Sequence, residues 1–163
     1  MPLRRKRGPQ RFILVAIIVI AGAWLLGFFG APQREGISLA ANQVTLQVQN
    51  QTGRFSASGN LQGGDVSFVY VNALRRVTLD NKNSLTSVVE SRKVAVKDGK
   101  FTTEFLGFNN TTWLEALKKQ FASAKSIQPD GVIEIALSGF QLKTPVARDT
   151  IVKSVFLNYQ PQH

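Results

Sequence analysis

The chain has 163 residues, no cysteine and a single histidine, which is its last residue. These counts exclude a disulfide framework, thiol chemistry, an ordered Ser-His or Cys-His catalytic pair, and zinc or haem sites built from such ligands. The formal net charge is +10, and the first 11 residues supply half of it: Arg4, Arg5, Lys6, Arg7 and Arg11. The remaining cations are spread along the chain, which favours a solvated surface over a nucleic-acid site. We therefore expect no nucleic-acid partner.

An apolar stretch at residues 12–31 dominates the start of the chain, and residues 12–29 contain no charged side chain. These 18 residues form a helix of about 27 Å, close to the roughly 30 Å hydrocarbon core of a bilayer. The basic residues 1–11 predict a cytoplasmic tail under the positive-inside rule. The pattern thus predicts a single-pass helix in the plasma or inner membrane, with a periplasmic or extracellular C-terminal domain.

A cleaved secretory signal is the alternative interpretation of the same stretch. A basic start, an apolar segment and Ala21-Gly22-Ala23 also fit such a signal. However, the apolar run continues beyond that site through residues 24–30. This continuation favours an uncleaved anchor.

Two sets of side chains on the predicted helix are candidates for contact. Three small residues recur at four-residue spacing: Ala23, Gly27 and Ala31. Such a face lets a second helix approach closely, although Gly and Ala are also common in spans without a partner. Three aromatic residues gather toward the outer end: Trp24, Phe28 and Phe29. Large rings favour the headgroup level, so we expect them to contact lipid or neighbouring rings.

Residues 32–42 combine Gly, Pro and small polar residues without a sustained period, and they predict a linker. From residue 43 onward, apolar and polar residues alternate, as is typical of half-buried strands. The alternation predicts strands over 43–49, 55–61, 66–72 and 75–80, with turns at 50–53, 62–65 and 80–83. The folded domain is expected to occupy residues 43–160.

Asp98-Gly99 is the favoured two-residue turn of a β-hairpin, and the residues on both sides alternate between apolar and polar. The pattern predicts that the strand before the turn pairs with residues 101–105 after it. Two further strands are predicted after a break at Pro129-Asp130-Gly131: 133–137 and 150–159.

Between these strands the hydrophobic period changes to that of a helix. Thr112 and Glu115 form a capping box. Apolar residues then recur along one face: Trp113, Leu117, Phe121 and Ala124. The pattern predicts an amphipathic helix over residues 113–125. Its basic opposite side also suits a membrane surface, but an aromatic stripe at this spacing is more often core, so we expect it to pack against the sheets.

About seven short strands with one helix inserted late predict an antiparallel β-sandwich of the immunoglobulin or fibronectin type. The alternative is an α+β domain in which the helix packs across one sheet. The strand VTLQVQN, the helix and the stretch GVIEIALSGFQLKTPV resemble, in their order, domains of the late-embryogenesis-abundant type 2 class. That resemblance covers the last third of the chain and residues 44–50, and it also implies a β-sandwich. The Asn-Pro usual after the first strand is Asn50-Gln51 here.

No grouping of side chains in the sequence predicts catalysis, a metal or another cofactor. The 10 carboxylates are scattered, and Asp80-Asn81-Lys82-Asn83 has a lysine where a calcium loop needs an oxygen ligand. We therefore expect a non-enzymatic accessory subunit without a small-molecule substrate. Its helix docks in a larger membrane complex, and its external domain stabilises or spaces that assembly. The alternative is a membrane-anchored binding module for an envelope polymer or polyanion, through four cations: Arg75, Arg76, Arg92 and Lys93.

Overall fold

The computed structural model describes residues 36–51, 54–63, 65–105 and 110–159. All of them belong to one compact unit, Glu35–His163. The predicted tail and transmembrane helix lie outside the described residues, together with their candidate contacts: Ala23, Gly27, Ala31, Trp24, Phe28 and Phe29. Within the described ranges, no helix combines the length and the apolar character needed to cross a membrane.

The described domain is mainly β, with two antiparallel sheets and one helix. The strands are β1 (Gln47–Gln51), β2 (Arg54–Asn60), β3 (Phe68–Leu79), β4 (Asn83–Ala95), β5 (Lys100–Phe105), β6 (Ile127–Ser138) and β7 (Lys153–Asn158). The helix α1 (Asn110–Gln120) lies between β5 and β6. Sheet 1 has the order β1-β2-β5, and sheet 2 has the order β4-β3-β6-β7. A mainly β domain with one late helix is thus confirmed.

One hydrophobic core joins the inner faces of the two sheets. Sheet 1 contributes Phe55, Ala57 and Phe101, and sheet 2 contributes Val69, Val71, Ile133, Ile135 and Leu137. These residues alternate along their strands because successive side chains of a strand point to opposite faces. Burying one such Val, Ile or Phe side chain stabilises the fold by about 1.5–3 kcal/mol. Residues 36–42 of the predicted linker also belong to the domain, since Ile37 and Leu39 pack against this core.

The outer face of sheet 2 is partly covered by the β6–β7 loop, which comprises residues 139–152. Leu142 of this loop is 7% exposed and packs against Leu74 and Ala136 of the sheet. Backbone bonds fix the middle and the end of the loop, from Val146 N to Thr86 O and from Val152 N to Leu137 O. Residues 69–75 of β3 and 133–138 of β6 are therefore buried on both faces.

A polar network lies between sheet 2 and the start of that loop. Asn72 is fully buried; its Nδ2 donates to Ser138 Oγ at 3.0 Å, and its Oδ1 accepts from Ser91 Oγ at 2.7 Å. Ser138 Oγ in turn donates to Phe140 O at 2.6 Å. Burying polar groups is costly unless they are paired, so this network favours one path of the loop over others.

The helix packs with its apolar side inward, as expected. Trp113 and Leu117 are 7% and 3% exposed and contact Val77 on the inner face of β3. The indole Nε1 of Trp113 donates to Ser87 Oγ of β4 at 3.1 Å. The helix ends at Gln120, earlier than the predicted residue 125, and turns follow it.

Two strands continue through positions where the sequence predicts a break. β3 is one strand from Phe68 to Leu79, and an irregularity in its register with β4 lies between Ala73 and Leu74, where the predicted strands 66–72 and 75–80 are separate. A bulge bends a strand without ending it. β6 passes through Pro129-Asp130-Gly131, where Pro129 is opposite Val77 of β3 and the register of the two strands shifts between Arg75 and Val77. The paired residues of β7 lie opposite 132–137, so among the described residues Pro129 has a strand on one side only. A proline without an N–H fits such a one-sided position.

The hairpin prediction is correct for the turn and wrong for the strands. Asp98 and Gly99 have φ values of 50° and 71°, and backbone bonds of 2.9 Å join Lys97 and Lys100 across the turn. Beyond it the arms separate, since β4 pairs with β3 whereas β5 pairs with β2. The turn therefore connects the two sheets.

Candidate functional site

Arg75 and Arg76 are neighbours on β3 and point to opposite faces of sheet 2. Arg75 is 7% exposed and lies on the inner side near the helix, whereas Arg76 is exposed on the outer side. The two arginines of the predicted polyanion patch thus do not share a surface.

Arg92 and Lys93 diverge in the same way on β4. The Nε of Arg92 lies 2.5 Å from Glu90 Oε1, and its Nη1 donates to Glu104 O of β5 at 2.6 Å. The ammonium of Lys93 lies 4.0 Å from the centroid of the Phe68 ring. The structure divides the four predicted cations between two faces, and polyanion binding stays a prediction.

The buried Arg75 connects three elements. Its guanidinium carbon lies 5.5 Å from the ring centroid of Trp113 and 5.0 Å from that of Tyr159. Its Nε donates to Asp130 O at 3.1 Å, and Nη2 donates to the same oxygen. Burial lowers the pKa of Arg75, against the raising effect of Tyr159 and Asp130. Because arginine stays charged at neutral pH, Arg75 is a buried cation that holds α1, β6 and the residue after β7 together.

The outer face of sheet 2 carries a depression of about 200 Å³. Strand pairing explains its composition, because Leu74, Glu134 and Phe156 lie side by side on β3, β6 and β7. The remaining lining comes from the same face and from the β6–β7 loop: Arg76, Asp130, Val132 and Arg148. We call this region the outer depression.

An ion pair closes one side of the outer depression. The side chain of Glu134 is 6% exposed, and Nη1 of Arg148 donates to its two oxygens at 2.7 and 2.5 Å. Nη2 of Arg148 donates to Thr86 Oγ1 at 3.3 Å. The carboxylate is thus compensated, and Arg148 fixes the loop across β6 and β4.

Two other members of the outer depression keep groups available for a partner. Phe156 is 62% exposed, and among the described residues no other large hydrophobic residue is exposed. The guanidinium of Arg76 makes no hydrogen bond or ion pair with a described residue. Phenylalanine and arginine are enriched at protein–protein interfaces relative to the rest of the protein surface. The outer depression therefore has the composition of a protein-contact surface.

Phe156, Glu134 and Arg148 are not among the site residues predicted from the sequence. A signal for Phe156 was present, because Val155 and Leu157 beside it pack against the core and alternation then places the ring outside. No comparable signal existed for the ion pair, whose arginine reaches back from a loop.

The part of the chain that the structure describes contains no group of three His, Asp or Glu side chains that could hold a metal ion. The carboxylate of Asp80, in the turn considered above for calcium, has a structural contact instead. Its Oδ1 accepts from the backbone N of Lys125 at 2.7 Å and of Ser126 at 2.9 Å. Asp80 thus holds the segment between α1 and β6.

No family model, curated protein or solved structure matches the chain. The resemblance to the late-embryogenesis-abundant type 2 class therefore depends on the quoted residues alone. A functional proposal likewise depends on this chain's own side chains.

Proposed function

We propose that the chain is a non-enzymatic, single-pass accessory subunit of a larger membrane complex. Its N-terminus lies in the cytoplasm, and the helix over residues 12–31 docks against other transmembrane helices. The helix-packing face is Ala23, Gly27 and Ala31, and the rings that contact lipid or neighbouring rings are Trp24, Phe28 and Phe29. The domain lies on the periplasmic or extracellular side, where it stabilises or spaces the assembly.

The observation that carries this proposal is the exposed ring of Phe156 beside the unpaired Arg76. Since Phe156 is 62% exposed, covering its exposed part with a partner gains about 1–2 kcal/mol relative to leaving it in water. Arg76 offers N–H donors to a carboxylate or carbonyl oxygen of the same partner. A subunit that contacts its neighbours through the outer depression accounts for both side chains.

The strand order supports a finer description of the fold, a β-sandwich of the fibronectin type. In the immunoglobulin constant scheme, the first, second, fifth and fourth strands form one sheet and the remaining three form the other. Here β4 pairs with β3, so the fourth strand has moved to the second sheet. Sandwiches of this kind are common in cell-surface proteins, although a fold alone does not determine function.

Co-purification after gentle detergent extraction tests the proposal. Phe156→Ala is expected to lower the recovery of partner subunits, because it removes the ring that the partner covers. Asn158→Ala is the matched control, since Asn158 is exposed on the same face of the same strand. Gly27→Leu tests the helix contact in the same assay. Equal recovery of the same partners with all three variants would contradict the accessory role.

The alternative, a polyanion-binding module, has less support because Arg75 is buried and Arg92 is paired with Glu90. It predicts salt-dependent binding of a polyanion by the full chain. Substituting the two outer-face cations, Arg76→Gln and Lys93→Gln, should weaken that binding. Such a result would favour the alternative if the Phe156→Ala variant also recovered partner subunits as well as the unsubstituted chain.

A further inference from the structure

The described domain has two distinguishable ends. The helix α1 and the turn at residues 80–82 lie at the end where β3 finishes, and we call it the helix end. Gly36 lies at the opposite end, next to Phe140 after the close of β6, and we call it the Gly36 end. The chain of the domain therefore begins at a defined end of the two sheets.

The backbone contact at the Gly36 end is tight. Ile37 N donates to Gly139 O at 3.0 Å. A Cβ built on Gly139 would lie 1.8 Å from Ile37 O, so only glycine permits this approach. The position of the first described residues is thus set by a specific contact with the end of β6.

Four exposed lysines lie at the Gly36 end: Lys93, Lys97, Lys100 and Lys153. The register groups them, because Lys153 pairs with Leu137 at the end of β6, and Lys100 pairs with Asn60 at the end of β2. Asp65 and Asp98 are the exposed acidic residues of the adjoining turns. Exposed lysines therefore outnumber exposed acidic residues at the Gly36 end.

Only a short segment of the sequence connects this end to the predicted transmembrane helix. That helix ends at residue 31, and residues 32–35 separate it from Gly36. An extended chain advances about 3.5 Å per residue, so the five steps reach about 17 Å at most. This reach is an upper limit, so the segment also allows the Gly36 end to lie within one Debye length of the membrane, about 10 Å at 0.1 M salt, where its charges interact with an anionic surface.

We propose that the Gly36 end rests on the bilayer and that its lysines bind the headgroups of anionic phospholipids. This proposal rests on the single-pass anchor proposed above and adds the orientation of the domain. The strands run from the Gly36 end to the helix end, so the sheets stand upright on the membrane. Phe156, on the outer face of sheet 2, then points sideways toward neighbouring proteins.

The test uses the full chain in lipid nanodiscs made of phosphatidylcholine, with or without phosphatidylglycerol. Because the chain has no cysteine, Ser67→Cys at the Gly36 end or Ala122→Cys at the helix end gives one fluorophore site. A headgroup-attached quencher reports which end approaches the membrane. We expect quenching at residue 67 that increases with phosphatidylglycerol and decreases with salt, and little quenching at residue 122.

Two charge-matched variants locate the effect. The triple change Lys97→Gln, Lys100→Gln and Lys153→Gln should reduce quenching at residue 67, with the docked-to-undocked ratio falling up to about fivefold per lysine. The control removes the same charge from exposed positions at and beyond the helix: Lys118→Gln, Lys119→Gln and Lys125→Gln. It should leave the quenching unchanged.

Equal quenching with and without phosphatidylglycerol, or equal losses in the two triple variants, would overturn the lipid contact. Reconstitution tests the anchor separately, before any quenching is measured. A chain that alkaline carbonate removes from the lipid would overturn the anchor, and the lipid contact with it. A chain that stays in the lipid without end-specific quenching would overturn the lipid contact alone.

Discussion

The two faces of sheet 2 are covered by different chemistry. The inner face meets sheet 1 through apolar side chains such as Val71 and Ile135. The outer face holds the buried polar residues Asn72 and Glu134 under the β6–β7 loop, and every buried side-chain N or O atom of the described residues has a partner. An apolar face accepts many apolar partners, whereas a polar face accepts only groups that match its donors and acceptors. The inner face thus provides stability, and the outer face selects the path of one loop.

The largest effect is expected on the inner face. Ile135 is fully buried, and Ile135→Ala should lower the free energy of unfolding by about 4 kcal/mol through lost transfer energy and a cavity. Denaturant unfolding followed by tryptophan fluorescence measures this loss. Ile135→Val, which removes one methylene, should cost about 1 kcal/mol. A loss below that of the Val variant would show that the inner face is not the main source of stability.

The two adjacent arginines of β3 lie on opposite faces of sheet 2 and allow a direct comparison of those faces. Arg75→Ala removes the cation between Trp113 and Tyr159 and leaves Asp130 O without two donors, so we expect a loss of about 3 kcal/mol. Arg76→Ala should change the stability by less than about 0.5 kcal/mol, because its side chain is exposed and unpaired. Equal effects in thermal unfolding would contradict the assignment of the two side chains to opposite faces.

A smaller loss is expected when the ion pair of the outer face is broken. Arg148→Ala leaves the buried Glu134 carboxylate without its cation. Breaking a fully buried pair costs about 3–5 kcal/mol, but Arg148 is 48% exposed and water can replace part of the contact, so we expect about 2 kcal/mol. Adding Glu134→Gln should recover part of the loss. Strict additivity of the two substitutions would mean that they do not interact.

Local patterns in the sequence predicted positions but not partners. Val44, Leu46 and Phe55 are buried, as the alternation of apolar and polar residues over 43–49 and 55–61 requires, and Trp113 and Leu117 are buried, as the helical period predicted. These predictions succeed because burial of a face depends on side chains a few residues apart. The same logic failed at Asp98-Gly99, where the turn formed but its arms joined different sheets.

The sequence did not predict the outer depression, for a related reason. Alternation along β3 requires the side chains of Arg75 and Arg76 to point to opposite faces of the sheet. It does not show which of the two faces the helix covers. Glu134 and Arg148 meet because the β6–β7 loop folds back over β4 and β6. The path of that loop depends in turn on the bond between Asn72 and Ser138, which are 66 residues apart in the sequence. Contacts that combine a loop path with two strands leave no periodic signal.

The smallest effect on stability is expected at Phe156, where the outer face is uncovered. With 62% of the residue exposed, Phe156→Ala should change the free energy of unfolding by less than about 0.5 kcal/mol. The adjacent Val155 packs against the core, so Val155→Ala should cost about 1–2 kcal/mol and serves as the matched control in the same unfolding assay. A loss at Phe156 as large as at Val155 would assign the ring to the covered part of the outer face. The accessory role would then lack its contact residue, since a ring needed for folding is not free to bind a neighbour.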